Sequence, residues 1–367
     1  MMLVTRGEFL ETGAGLFQSW ATLAEALHPA QPAPQPARRH SSLHPISLES
    51  IDRNGGDLSG YNPRAMEKPQ RRGVLICVLV VSCSGMVRAQ QPTPIQSSSG
   101  LRLLIADENT QPTLRIVLPG HPDSDRAIGV IFPEHVTARK QGSTDSERLY
   151  LFRPGRQGEP PRWRQSGQSL EYEKDFTGDV HMLARATLEP DGVRFHYEFL
   201  NRSNQPYEMI YAVTDPRLTS IFHDVRLQRT YVHHPEGFDL LASETPSRLA
   251  MPLDRWLPAR YLASFTWPVP SKLVDRRADG ITYYNKSRRV DQPFIATLSA
   301  DHKWVVASFT RTTGNVWSNP ELTCQHVDPQ ISLAPQQRAA VELKILIFQG
   351  SLDQAFKKAI AQRIALP

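Results

Sequence analysis

Residues 191–213 read DGVRFHYEFLNRSNQPYEMIYAV, and the period of their apolar side chains decides the fold. Val193, Phe195, Tyr197 and Phe199 alternate with Arg194, His196 and Glu198. An extended chain sends successive side chains to opposite faces, so this pattern makes one buried and one wetted face. Wound as a helix, the same residues would scatter around its circumference. EPDG at 189–192 joins the segment to VHMLARATL at 180–188 through turn-forming residues of hairpin length, and NRSNQP at 201–206 turns the chain into YEMIYAV.

The period of two continues on both sides. LRLLIA (101–106), TLRIVL (113–118), AIGVIF (127–132), RLYLFR (148–153) and QSLEYE (168–173) precede it, and ITYYN (281–285), PFIATLS (293–299), KWVVASFT (303–310) and AAVELKILIF (339–348) follow. Many short strands separated by Pro and Gly turns predict an all-β protein, a large antiparallel β-sandwich or supersandwich. One helix is predicted, at about 351–365. Ser351 and Gln354 form a capping-box pattern there, and Leu352, Ala355, Phe356, Ala359 and Ile360 recur at helical spacing. Its apolar stripe is expected to pack on the sandwich. Stretch 215–280, rich in Pro, His and Trp and weak in periodicity, is expected to be irregular connection, where binding residues tend to sit.

Residues 74–91, VLICVLVVSCSGMVRAQQ, form an apolar run in an otherwise polar chain. Its unbroken core, Val74 to Val81, has eight residues, against about 20 for a membrane-spanning helix. Lys68, Arg71 and Arg72 before it and Val87-Arg88-Ala89 after it complete the three-part pattern of a secretory signal over 66–89. Cleavage after Ala89 leaves 90–367 as one exported β-sandwich domain, periplasmic or extracellular. Val80-Val81-Ser82-Cys83 also fits a lipobox, which would make Cys83 a lipid anchor, and Arg71-Arg72 loosely follows a twin-arginine pattern. Residues 1–65 include EFLETGAGLFQSWATLAEAL (8–27), whose helical periodicity allows a short amphipathic helix, and the Pro-rich HPAQPAPQPARRHSSLHP (28–45), which lacks periodicity and a core-forming pattern. They are expected to be either a start assigned too early, with translation from Met66, or a disordered extension.

The chain carries 42 basic and 37 acidic residues, a balance that argues against nucleic acid as partner. Arg276-Arg277 and Arg288-Arg289 lack the aromatic interleaving of a strand-binding platform. Of three cysteines, Cys77 and Cys83 fall in the signal and Cys324 stands alone. It is expected to be a small buried hydrophobe, with no internal disulfide and no Cys-based zinc site. Neither a Gly-x-Ser-x-Gly elbow nor a Gly-rich phosphate loop occurs, so no cofactor is implied. Nothing in the sequence speaks to oligomeric state.

The hairpin at 191–213 and the closing strand LAPQQRAAVELKILIF (333–348), in a sandwich of this size, resemble the galactose-mutarotase-like β-sandwiches. The resemblance covers 100–350 in architecture and is specific around 190–215 and 315–348. SNPELTCQHVDPQISLAP (318–335) is also similar to a segment of exported bacterial proteins of uncharacterised function. Catalytic members of the superfamily place a His after this hairpin as the acid toward the sugar's ring oxygen. Here that stretch is YEMIYAVTDPRL (207–218), with no His until His223, and a late catalytic Glu is matched only loosely by Glu321. Ring opening needs an acid and a base held together, so mutarotase activity is not carried over.

Three groups of residues carry candidate chemistry. In 315–328, Trp317 offers a flat apolar face for a sugar ring, and Asn319, Glu321, His326 and Asp328 offer hydrogen bonds. His223 and Asp224 with His233, His234, Glu236 and Asp239 are dense enough to suggest a metal site. Yet adjacent strand residues point apart and the spacing matches no zinc pattern, so no metal is expected there. Trp256, Arg260, Tyr261 and Trp267 combine aromatics with a guanidinium that can grip a carboxylate, which suits an acidic saccharide. The leading expectation is an exported carbohydrate-binding protein with a cleft lined by 215–267 and 315–328. The alternatives are a carbohydrate-active enzyme on this scaffold, a lyase, hydrolase or epimerase using His223, His326 and a carboxylate such as Glu321, and a structural envelope module.

Overall fold

The computed structural model describes residues 93–106, 111–144, 146–149, 161–176, 179–244, 259–278 and 280–367. The expected signal, residues 1–65 and Trp256 lie outside them. The strands are β1 (Ile95–Gln96), β2 (Arg102–Ile105), β3 (Thr113–Val117), β4 (Ile128–Lys140), β5 (Glu147–Leu149), β6 (Arg164–Ser166), β7 (Ser169–Phe176), β8 (Val180–Glu189), β9 (Gly192–Asn201) and β10 (Tyr207–Leu218). They continue as β11 (Thr230–His234), β12 (Gly237–Leu240), β13 (Ala259–Ser264), β14 (Val274–Arg276), β15 (Thr282–Asn285), β16 (Phe294–Leu298), β17 (Trp304–Thr310), β18 (Asn315–Ser318), β19 (Gln330–Leu333) and β20 (Arg338–Gln349). The helix, α1 (Leu352–Arg363), closes the chain.

Among the described residues the strands form three sheets. One runs β1-β2-β3-β4-β10-β19 with β5 against β4, a second β12-β11-β16-β17-β20-β9-β8-β7-β6, and a third, smaller one β14-β15-β13-β18. The alternating aromatics of β9 behave as their period requires: Phe195, Tyr197 and Phe199 are buried while Arg194, His196 and Glu198 are half-exposed. They meet β4 of the facing sheet, where the Phe132 ring lies 4.9 Å from Phe195 and 4.8 Å from Tyr197. Tyr172 and Tyr197 are buried with their hydroxyls satisfied, by the Phe132 carbonyl and by Thr214 Oγ1 respectively. A buried phenol without such a partner would cost stability.

The fold is all-β and mostly antiparallel, as the sequence predicts, with two differences. Strands β13 and β15 pair in parallel, which the long connection between them permits and a hairpin would not. The described residues of stretch 215–280 are not all irregular: they hold the end of β10 and the short strands β11 to β14. Strands this short show too few alternations to be read from period alone.

Helix α1 forms as predicted. Ser351 and Gln354 exchange both capping-box hydrogen bonds, Gln354 N to Ser351 Oγ at 3.3 Å and Ser351 N to Gln354 Oε1 at 2.9 Å. Its stripe covers the second sheet, with Ala355 and Ala359 packed among Phe294, Ala296, Ala307 and Phe309.

Candidate binding site

The outer face of β10 begins the site. Thr214 turns inward to Tyr197, so its neighbour Asp215 turns outward, and Arg217 follows two residues later on the same side. Beyond Tyr211 the free edge of β10 is met by 323–326. Leu218 N donates to Thr323 O at 3.3 Å, Gln325 N donates to Pro216 O at 3.3 Å, and Arg217 and Cys324 form an antiparallel bridge. In this segment Gln325 points into the core, bonded to Thr297, Ser308 and Val306. Cys324 and His326 therefore face outward, opposite Arg217 and Asp215.

The register then carries the face across to the small sheet. His326 and Trp317 exchange both backbone hydrogen bonds, at 3.1 and 2.9 Å. Trp317 pairs with Leu262 of β13, and Leu262 pairs with Asn285 of β15. Paired residues share a face. Asp215, His326, Trp317, Leu262 and Asn285 thus make one row, and Arg217, Cys324, Arg260 and Tyr283 lie beside it. This row joins residues from strands distant in the chain by pairing alone.

Within it, the Trp317 and His326 rings stack at 3.6 Å, 3° from parallel, and the Arg260 guanidinium lies 5.7 Å from the Trp317 ring centre. Arg217 Nε donates to Asp215 Oδ2 at 2.7 Å. His326 Nε2 lies 3.5 Å from Asp215 Oδ1 and its Nδ1 3.5 Å from Asp328 Oδ2. Both separations are too long for strong hydrogen bonds, and Asp215 Oδ1 and His326 Nδ1 are buried without one. A register shift in β4 opposite Val213–Asp215 brings Glu134 to the same group, the re-aiming that bulges commonly provide.

Electrostatics follow from this crowding. Burial disfavours the imidazolium of His326, but the Cys324 sulfur and the carboxylates of Asp215 and Asp328 outweigh it and hold the pKa well above the usual imidazole range. Burial likewise opposes ionisation of Asp215, and His326 and Arg217 overcome it and lower its pKa. Glu134 is pushed up, first by burial and then by the negative charge of Asp215.

The sequence candidates fare unequally. Trp317 is half-buried, and His326 covers one face of its ring. His326 is buried beneath it. Asn319 is buried and serves the turn, its Oδ1 accepting from Leu322 N at 3.0 Å. Asp328 Oδ1 accepts from Thr214 N at 3.1 Å. Glu321 accepts from Ala259 N at 2.9 Å and lies 3.9 Å from Arg260. His223 is exposed at the end of a short 3-10 turn, and its neighbour Asp224 donates its N–H to Thr323 Oγ1.

The second group does not converge. Asp224 accepts from Gln228, Arg229 and Thr230, His233 binds Asp291, His234 meets the Arg289 carbonyl, Glu236 meets Arg288, and Asp239 meets Lys286. In the third group Tyr261 is buried against Tyr284, their rings 4.8 Å apart, while Arg260 reaches the face. Sequence reading missed Asp215, Arg217 and Glu134, which sit in strands with no motif around them. It also missed the part of Cys324, whose His-spaced neighbour in Cys-Gln-His was the available signal.

No protein-family model matches the chain, and comparison with curated proteins gives no match. Similar solved structures include a galactose mutarotase-like protein from Lactobacillus casei, with 12% identity, 70% of this chain and 99% of that chain covered, and a TM-score of 0.39. A galactose mutarotase related enzyme from Lactobacillus acidophilus has 10% identity, with 71% and 98% covered and a TM-score of 0.39. An alpha-N-acetylgalactosaminidase from Bifidobacterium bifidum has 11% identity, with 73% of this chain but 38% of that chain covered and a TM-score of 0.42.

Proposed function

We propose that this is an exported carbohydrate-binding protein that takes an acidic saccharide on the face running from Arg217 through Trp317 to Arg260. One observation carries the reading: strand pairing puts Arg217, the half-buried Trp317 and Arg260 on one side of the joined strands, with the Arg260 guanidinium 5.7 Å from the Trp317 ring centre. Arg217 is 36% exposed and Arg260 25%, enough to meet a ligand while their stems stay fixed. Among the described residues Arg217 uses only Nε on a protein partner, which leaves its terminal N–H groups to grip a carboxylate or a pair of hydroxyls. The accessible part of Trp317 supplies the apolar wall that sugar C–H groups require. Export rests on the signal pattern at 66–89.

The test is a calorimetric titration of the purified full chain with neutral and uronic oligosaccharides. Arg260→Ala is expected to weaken the uronic ligand about tenfold or more, the loss of roughly one charge-assisted contact, with little change for a neutral sugar. Equal affinity of parent and variant for every saccharide, or no binding at all, would overturn the reading. Export is tested separately, by N-terminal sequencing of secreted material, where a start at Gln90 is expected.

A further inference from the structure

We infer that Asp215, Cys324 and His326 form a binding site for a divalent transition metal of the zinc class, set at the base of this face. One ligand atom from each lies within 4.8 Å of the other two, and all three residues are buried. An imidazole, a thiol and a carboxylate are the donor set that borderline-soft ions select. Three protein ligands with a remaining position are the usual arrangement where such an ion also binds water or a ligand.

Independent observations point to an ion. Asp215 is 2% exposed, yet its Oδ1 takes no hydrogen bond, while Arg217 occupies Oδ2. The orphaned oxygen sits 3.5 Å from His326 Nε2. That is long for a hydrogen bond but close to the roughly 3.3–3.6 Å that separates two ligands of a tetrahedral ion with bonds of about 2.0–2.3 Å. On the other side of the ring, Nδ1 faces Asp328 Oδ2, and Asp328 is itself fixed by Thr214 N. A carboxylate behind a metal-bound imidazole is the common outer partner that sets the ring's tautomer and direction. The sulfur also has an outer partner, the Asn319 N–H at 3.3 Å. Trp317 stacked on His326 blocks rotation of the ring. The single residue between Cys324 and His326 puts both on one side of an extended chain, and Asp215 completes the set across the bridge.

Cobalt is the probe, because a cobalt–thiolate bond absorbs by charge transfer in the near ultraviolet. The full chain, freed of metal by a chelator and kept reduced, should take up one Co²⁺ per chain with that band and with the intense visible bands of a four-coordinate ion, and Zn²⁺ should displace both. Cys324→Ser should lose the charge-transfer band. His326→Gln and Asp215→Asn should weaken Co²⁺ binding by about 100-fold or more, and Asp328→Asn by roughly 10–100-fold with the band kept. The double variant C77S/C83S should keep the parent's band, since those cysteines lie far outside the site in sequence. Circular dichroism and melting curves establish that each variant is folded. Absence of the band in the parent, or its persistence in folded Cys324→Ser, would overturn the site. No saccharide enters the measurement, so its failure and the failure of the proposed function are read separately.

Discussion

Lys344 lies in the middle of β20 and is 2% exposed. Its ammonium is held by Glu189, by Asp191 Oδ1 at 2.7 Å and by Gln362 Oε1 at 2.6 Å. In the sequence this residue belongs to the wetted set of an alternating strand; what buries it is α1, whose Gln362 closes over it. Burial works against ionisation of Glu189 and Asp191, but Lys344, joined by Arg194 at Glu189 and by Gln362 and Lys358 at Asp191, outweighs it and lowers both pKa values. A carboxyl whose pKa is lower in the folded than in the unfolded state stabilises the fold above its unfolded pKa and ceases to do so as pH falls through the folded one. The unfolded values stand at 4.5 and 3.8, so the contribution is complete at neutral pH and drains away below about pH 4. Lys344→Met removes the buried cation that Glu189 and Asp191 share, leaving Arg194 on Glu189 and the more distant Lys358 on Asp191, and is expected to cost about 3 kcal/mol at pH 7, read from urea unfolding. At pH 3 the gap between parent and variant should narrow. A gap that is constant across this range would mean that the ion pairs carry none of the cost.

At the scale of elements, the strong periods were legible and the weak ones were not. Strands β8 and β9 and the cap of α1 stand where their residues predict, because each choice of residue agrees with the next. Strand β4 runs thirteen residues, and its part beyond the apolar AIGVIF was not legible because Pro133 and Glu134, at its irregularity, interrupt the alternation. The EPDG turn carries a sharper requirement than its turn propensity. A Cβ on Gly192 would overlap the Ile345 carbonyl oxygen of β20, a backbone atom that cannot move without breaking the β9–β20 pairing. Gly192→Ala is expected to destabilise the protein by about 2–4 kcal/mol, among the larger effects of a single substitution. Ala at Gly167, where nothing lies within 4 Å of the added carbon, should cost less, from its positive φ alone. Equal losses in the two variants would show that backbone conformation, and not the contact with β20, sets the requirement at 192.

For the whole molecule, the site is legible only after the sheets are assembled. Trp317, Arg260, His326 and Asp328 can be picked out as residue types, but Asp215, Arg217 and Glu134 enter through pairings between strands distant in sequence, which no local pattern records. The face therefore depends on the core beneath it. Phe132 is fully buried, packs between the two large sheets, and lies two residues before Glu134 in the irregular part of β4. Phe132→Ala should cost about 3–5 kcal/mol through lost contact and a residual cavity, whereas Phe132→Leu, which keeps most of the volume, should cost about 1 kcal/mol. If the face is held in register by this packing, the Ala variant should also bind Co²⁺ and saccharide more weakly than the Leu variant, at a temperature where both remain folded. Unchanged binding in a destabilised Phe132→Ala protein would show that the pairing of β10 with 323–326 holds the face by itself. The cavity would then be felt in global stability alone, and the core and the site would be separable parts of one sandwich.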